Sequence, residues 1–233
     1  MTESTSAAEG VAISDPAYQA AVVDLLGVIS CAELAAFERL AEDAKLAPEL
    51  EDRIALVTMA AVEVDNLLKL RDRLASLGVD PHEAMARFEP ALEAFHRHTS
   101  PSNWLEGLVK AYVGDGLARD FYAEIAAFVD VETRELILAS LRRDVHSEFV
   151  VQRVRDAIAA DPRVGGPLAL WGRRLMGEAL TQAQRIAADH DALSALLAGG
   201  VDRPGMDLAS LGRMFNRLTE RHAERMAELG LAH

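Results

Sequence analysis

Apolar residues recur at alternating steps of three and four along most of the chain, which is the spacing of one face of an α-helix. Four of these stripes carry ionisable residues near the middle of the predicted helix. Burying an unpaired ion is costly, so four such helices predict that the ions meet one another, or a metal, at one place. The stripes are Val22, Leu26, Ile29, Glu33, Ala36, Leu40; Leu56, Ala60, Glu63, Leu67, Leu70, Leu74; Trp104, Leu108, Ala111, Asp115, Ala118, Tyr122, Ile125; and Leu136, Ala139, Arg143, His146, Val150.

Capping and turn residues predict where the helices begin and end. Asp15-Pro16 is typical of a helix start, Ser102 and Asp130 can each cap a helix, and Gly78 is typical of a helix end. Residues 1–14 are polar, and we expect a disordered tail there. The predicted helices cover 15–45, 49–77, 80–98 with an interruption near Pro90, 103–128, 130–160, 167–197 and 206–229.

Short connections predict two antiparallel helical hairpins. Glu33 and Glu63 lie almost equally far from the first turn, and Asp115 and Arg143 from the second. Within each hairpin the mismatch is about 3 Å at 1.5 Å per residue, so the paired residues should lie side by side. We therefore predict one all-α domain over 15–233. Its four-helix bundle (15–160) has one long crossover (78–101), and two additional C-terminal helices lie within 167–229.

Composition narrows the possible functions. Half of the residues are hydrophobic, and the only cysteine is Cys31, which excludes an intramolecular disulfide and a cysteine-based zinc site. We predict a cytoplasmic protein with no membrane segment and no signal peptide. The net charge of −13 argues against general nucleic-acid binding, although arginines near the C-terminus leave open one RNA-facing side.

The polar residues on the stripes follow the pattern of a di-metal carboxylate bundle. In such a bundle two helices each give one carboxylate, and two others each give a carboxylate-x-x-His pair. Here Glu33 and Asp115 stand alone on their helices. The other two helices supply Glu63-Val64-Asp65-Asn66 and Arg143-Asp144-Val145-His146. Two expected ligand positions are therefore occupied by Asn66 and Arg143.

On these residues, the chain resembles the ferritin-like superfamily, and within it an actinobacterial branch similar to the tRNA-modifying non-haem di-iron hydroxylases (MiaE-like). The segments that carry the resemblance are VVDLLGVISCAELAAFERLAEDA, WLEGLVKAYVGDGLARDFYAEIA, HSEFVVQRVRDAIAADP and ALWGRRLMGEALTQAQ. It implies a di-iron centre that activates dioxygen and hydroxylates a modified tRNA. It would also place a histidine at Asn66 and an acidic residue at Arg143.

Three states of the site stay open: a metal-free polar core with Arg143 as internal counter-ion, one metal ion, or two. Glu33, Glu63, Asp115 and His146 are the candidate ligands, and iron is the expected metal. One functional hypothesis is an oxygen-activating non-haem di-iron oxidoreductase, a hydroxylase of modified tRNA or of a small molecule. The alternative is a non-catalytic structural or interaction protein. A homodimer through exposed helix faces is a further hypothesis.

Other stripe positions allow two interpretations each. Glu178, Asp120 and Tyr122 either contact the metal ligands or serve as ion-pair and core residues, and Tyr122 is also a candidate to line a channel. Gly114 and Gly116 flank Asp115, where mid-helix glycine costs about 1 kcal/mol each relative to alanine. Either close helix packing or room for a ligand would explain that cost.

Overall fold

The computed structural model describes residues 15–141, 147–199 and 206–231, and these residues contain helices and turns but no strands. The predicted all-α class is therefore confirmed. The predicted tail at 1–14 lies outside the described residues, as do Arg143 and His146. The α-helices are α1 (Pro16–Asp43), α2 (Leu50–Ser76), α3 (Pro81–Ala86), α4 (Glu89–His98), α5 (Trp104–Ala126), α6 (Val131–Ser140), α7 (Ser147–Ala160), α8 (Gly165–Asp189), α9 (Asp191–Ala198) and α10 (Leu208–Glu228).

Most of the predicted helix starts are confirmed by side-chain caps. Asp15 accepts a hydrogen bond from the backbone nitrogen of Ala17, and Asp130 accepts one from Thr133. The prediction that Ser102 caps α5 was wrong. The cap is Asn103, whose side chain accepts from the backbone nitrogen of Glu106. The Glu106 carboxylate in turn accepts from the backbone nitrogen of Ser102, which satisfies a second donor at this helix end.

Two predicted long helices are divided. The predicted helix over 130–160 is α6 and α7 instead, and α6 ends where the carbonyl of Ser140 accepts a hydrogen bond from the side chain of Asn66. The predicted helix over 167–197 is α8 and α9, separated at His190, whose backbone is not helical (φ −128°, ψ 88°). The His190 ring stacks on Phe88 with 4.3 Å between centroids, so tertiary packing accounts for the break.

The buried apolar side chains form two clusters, one towards each end of the bundle. What we call the first core includes Leu40, Leu56, Val109 and Leu175. The second core includes Leu26, Leu70, Ile125 and Leu196. The helix α1 runs from the second core to the first, whereas α2, α5 and α8 run from the first to the second. Thus α1 is antiparallel to the other three helices, as predicted for α1 and α2.

The helix α1 is the most apolar long element. With the turn that follows, Pro16–Leu46 is long and apolar enough to cross a membrane by length and composition, but 67% of its most apolar window is buried inside the protein. It packs chiefly on α2, with further contacts to α3, α5 and α9. This burial is that of a core helix, so the length and composition of the stretch do not contradict the prediction of no membrane segment.

Candidate functional site

Polar side chains interrupt the helices where they pass from one core to the other. We call Glu33, Glu63, Asn66, Asp115 and Gln182 the polar layer. Glu33 belongs to α1, Glu63 and Asn66 to α2, Asp115 to α5 and Gln182 to α8, and all five line one internal cavity. The hairpin geometry predicted for Glu33 and Glu63 is confirmed, because the two helices bring these carboxyl groups into contact.

The surroundings of Glu33 favour its neutral form. Its residue surface is 8% exposed, and burial raises the pKa of the Glu33 carboxyl well above its usual range. A hydrogen bond with Glu63 and the negative charge of that group raise it further, while Asn66 and Arg119 oppose the shift. A protonated Glu33 can donate this hydrogen bond to Glu63, which is why the contact favours the neutral form of Glu33.

Asn66 is fixed as a hydrogen-bond donor. Its Nδ2 donates to the backbone carbonyl of Ser140 at 3.2 Å and to Oε2 of Glu33 at 3.4 Å. The Ser140 carbonyl can only accept, so it determines which end of the Asn66 amide faces the site. Asn66 therefore presents N–H groups to Glu33 and not the carbonyl oxygen that a metal ion would require.

Asp115 is paired with Arg119 one turn further along α5. The Arg119 Nε donates to Oδ1 of Asp115 at 2.9 Å, and a terminal guanidinium nitrogen contacts Oδ2. This two-point contact is the strong form of a carboxylate–guanidinium pair. Asp115 is thus already occupied by a cation from its own helix, as the i, i+4 spacing permits.

The donor set does not fit a di-metal centre. Asn66 is oriented as a donor and Asp115 is bound to an arginine, which leaves Glu33 and Glu63 among the four predicted ligand positions that the structure describes. Within the described residues, no group of three or more histidine, cysteine, aspartate and glutamate side chains is arranged to hold a metal ion. His146 and Arg143, the remaining predicted participants, lie outside them.

A cavity of about 280 Å³ opens beside the polar layer, between α1, α2, α4, α5, α8 and α9. Most of its wall is apolar. Tyr122 also lines it, and burial raises the pKa of the Tyr122 hydroxyl well above its usual range. Lining side chains from five of the helices include Leu25, Met59, Phe95, Ile186, Leu193 and Leu197.

The two glycines beside Asp115 serve different purposes. A Cβ atom on Gly116 would lie 2.2 Å from Nε of Arg225, so this glycine allows close packing of α10. A Cβ atom on Gly114 would meet nothing within 4 Å, and Gly114 lines the cavity. Close packing of α10 therefore explains the glycine at Gly116, and the open cavity explains the glycine at Gly114.

One end of the cavity carries basic side chains that the sequence interpretation did not select. Lys110 is 4% exposed and donates from Nζ to the Thr99 carbonyl at 2.7 Å. Burial lowers the pKa of Lys110 to about 7 and that of the neighbouring His96 to about 3. In the sequence, a lysine within the otherwise apolar run Leu108–Val113 already indicated a buried basic group.

Glu178 and Asp120, which were candidates to contact the metal ligands, form ion pairs with other residues instead. Glu178 pairs with His98, with 3.2 Å between its Oε2 and the Nδ1 of the ring. Asp120 pairs with Arg225 and with Arg221 of α10. The polar-layer residue on α8 is Gln182, which follows Glu178 by one turn on the same stripe and was not selected.

Comparison with solved structures supports the fold. The chain superimposes on a structure described as protein 19 with aldehyde deformylating oxidase activity from Synechococcus, with a TM-score of 0.68. The aligned sequences are 21% identical, and the match covers 94% of this chain and 93% of the other. At 21% identity, this similarity is evidence for a shared fold alone. A comparison with curated proteins gave no significant match.

Most of the sequence also matches a family profile. The profile is described as a ferritin-like domain of actinomycetes, and it covers residues 16–200. This span contains α1 to α9 and therefore every residue of the polar layer. The chain belongs to the actinomycete ferritin-like domain family.

Proposed function

We propose that this ferritin-like protein binds an elongated, mainly apolar small molecule in the cavity beside the polar layer, with the Glu33–Glu63 pair as a metal-independent hydrogen-bonding site. The observation that carries the proposal is the cavity of about 280 Å³, which is lined mostly by apolar side chains and bordered by the buried Glu33 carboxyl group. Apolar pockets with a few converging polar groups are the usual form of small-molecule sites.

The cavity volume sets the size of the ligand. An apolar protein cavity of about 150 Å³ accommodates benzene, so one of about 280 Å³ takes about eleven non-hydrogen atoms. At about 0.5 kcal/mol per atom, such a ligand would bind with a dissociation constant of roughly 0.1 mM or lower. A medium-length alkyl chain with a small polar head has these dimensions.

A small molecule is favoured over modified tRNA by the charge distribution. The arginines of α10 are compensated by acids of α5: Arg217 and Arg221 contact Glu124, and Arg225 contacts Asp120. Phosphate binding needs basic side chains that are free to exchange their counter-ions. These pairs reduce the positive surface that an RNA backbone would require.

Gly114→Leu tests the proposal by filling the cavity. The new side chain starts where a Cβ atom meets no neighbour within 4 Å, so we expect a protein that folds as well as the wild type. With methyl octanoate as the probe in isothermal titration calorimetry, we expect at least a tenfold rise in dissociation constant.

Gly177→Leu is the matched control. Gly177 is also a mid-helix glycine with no neighbour within 4 Å of its Cβ position, but it is exposed on α8 and outside the cavity. This variant should bind methyl octanoate as the wild type does. Equal affinity in the Gly114→Leu variant, or no binding by the wild type at millimolar probe, would refute the proposal.

A second candidate is an oxygen-activating iron oxidoreductase, such as a hydroxylase. It is favoured by the direct contact of Glu33 with Glu63, since paired carboxylates are the ligands from which ferritin-like metal sites are built. The structural relative from Synechococcus is described as having aldehyde deformylating oxidase activity, which is consistent with an oxidoreductase. On this hypothesis Glu33, Glu63 and His146 would hold the metal.

Metal content separates the two candidates. Protein expressed in iron-replete medium and purified without chelator or histidine tag would be measured by elemental mass spectrometry. We expect well under one iron or manganese per chain, because Asp115 and Asn66 are engaged with Arg119 and Ser140. One or two equivalents that disappear in Glu33→Gln would instead support the oxidoreductase.

A further inference from the structure

Gln182 has two buried polar groups without partners. The residue is 5% exposed, and neither the oxygen nor the nitrogen of its side-chain amide has a hydrogen-bond partner in the described part of the chain. Leaving a buried donor or acceptor unpaired costs about 1–3 kcal/mol each. A side chain that bears two such penalties at the wall of a cavity requires an explanation.

The position of Gln182 relates it to the ligand site. On α8 it lies between Leu180, which packs on the first core, and Ile186, which packs on the second. Glu33, Glu63 and Asn66 lie at the same transition on α1 and α2, and all of them line the same cavity. A ligand that occupies this cavity therefore lies against Gln182, near the level of the Glu33–Glu63 pair.

We propose that Gln182 selects ligands whose neutral head combines one hydrogen-bond donor with one acceptor, as a primary carboxamide does. This inference rests on the proposed function and names the ligand class for the same cavity. The head of such a ligand pairs with both unsatisfied groups of Gln182 at once, and its alkyl chain contacts the apolar wall.

The chemistry of the site disfavours other heads. An ester offers acceptors alone and leaves the Gln182 carbonyl oxygen unpaired. A carboxylate has the same deficiency, and its full charge would also be buried in a mostly apolar cavity that Glu33 and Glu63 already line. A carboxamide is neutral and offers both a hydrogen-bond donor and an acceptor.

Three probes of equal size test the selection: nonanamide, methyl octanoate and nonanoate. In titration calorimetry at pH 7, we expect the wild type to bind nonanamide at least tenfold more tightly than either of the others, as two neutral hydrogen bonds allow. In Gln182→Met, which keeps the length of the side chain, nonanamide and methyl octanoate should bind within threefold of each other.

Gln182→Met also provides a test without ligand. If the amide is unpaired in the free protein, its replacement by an apolar side chain should raise the melting temperature by several degrees. A lower melting temperature would show that Gln182 has an internal partner and would overturn the inference.

The outcomes separate the two proposals. Equal binding of nonanamide and methyl octanoate to the wild type, or an amide preference that survives in Gln182→Met, overturns the role of Gln182 and leaves the apolar site standing. Failure of all three probes to bind overturns the proposed function, and the ligand class with it.

Discussion

Glu33→Gln is expected to remove a strong pH dependence of stability. In the folded protein the pKa of Glu33 is raised above its unfolded value near 4.5, mainly by burial and then by Glu63. The native state therefore binds more protons than the unfolded state, so stability is greatest below about pH 4.5 and falls as the pH rises. For one group the limiting slope is about 1.4 kcal/mol per pH unit.

The glutamine keeps the shape and neutrality of the protonated acid, and it can still accept from Asn66. We therefore expect its free energy of unfolding to match the wild type at pH 4.5 and to exceed it increasingly between pH 6 and 9. Urea unfolding at several pH values gives this difference directly. Glu38→Gln, an exposed position on the same helix, is the control and should show little change.

Parallel stability curves for the wild type and Glu33→Gln would contradict the raised pKa of Glu33. Such a result would mean that Glu33 is ionised in the native protein, which requires a cation beside it. The metal-bound form of the site would then become the better description. Urea unfolding at several pH values therefore also helps to distinguish the two candidate functions.

Gly27→Ala is expected to cause the largest loss of stability among single glycine replacements. A Cβ atom at Gly27 on α1 would lie 2.6 Å from the backbone oxygen of Ala84 in α3 and 3.1 Å from the ring of Phe88. A backbone oxygen cannot move aside as the end of a long side chain can. We expect a loss of about 1–3 kcal/mol, as for other overpacked cores, measured by urea unfolding.

The control for Gly27 is Gly177→Ala. Both positions are in long helices, but a Cβ atom on Gly177 has no neighbour within 4 Å, so alanine should stabilise the protein by about 0.5–1 kcal/mol. Opposite signs for the two variants are the expected result. A Gly27→Ala variant as stable as the wild type would mean that α1 and α3 do not approach this closely.

Sequence periodicity predicted the part of the site that depends on local geometry. Glu33 and Glu63 meet because each lies about the same number of residues from one short turn, and a helix advances a fixed distance per residue. The pairing of Arg119 with Asp115 follows in the same way from their i, i+4 spacing. Both contacts follow from helix geometry and the position of one turn, without any information on how distant segments pack.

Other parts of the site depend on contacts between distant segments. The orientation of the Asn66 amide is set by the carbonyl of Ser140, and that carbonyl is available because α6 ends there. The role of Gln182 depends on how α8 lies along α5, and the cavity depends on which atoms six helices fail to bring together. The stripe position of Glu178 marked it as unusual, but it did not show that Gln182, one turn further along α8, lines the cavity instead.

The burial of α1 has a consequence for synthesis of the protein on the ribosome. Its apolar surface is covered partly by α9, which begins at Asp191, about 150 residues after α1 ends. At 5–20 residues per second, translation leaves that surface without its final cover for roughly ten to thirty seconds. The nascent chain should therefore be a client for chaperones that bind apolar segments.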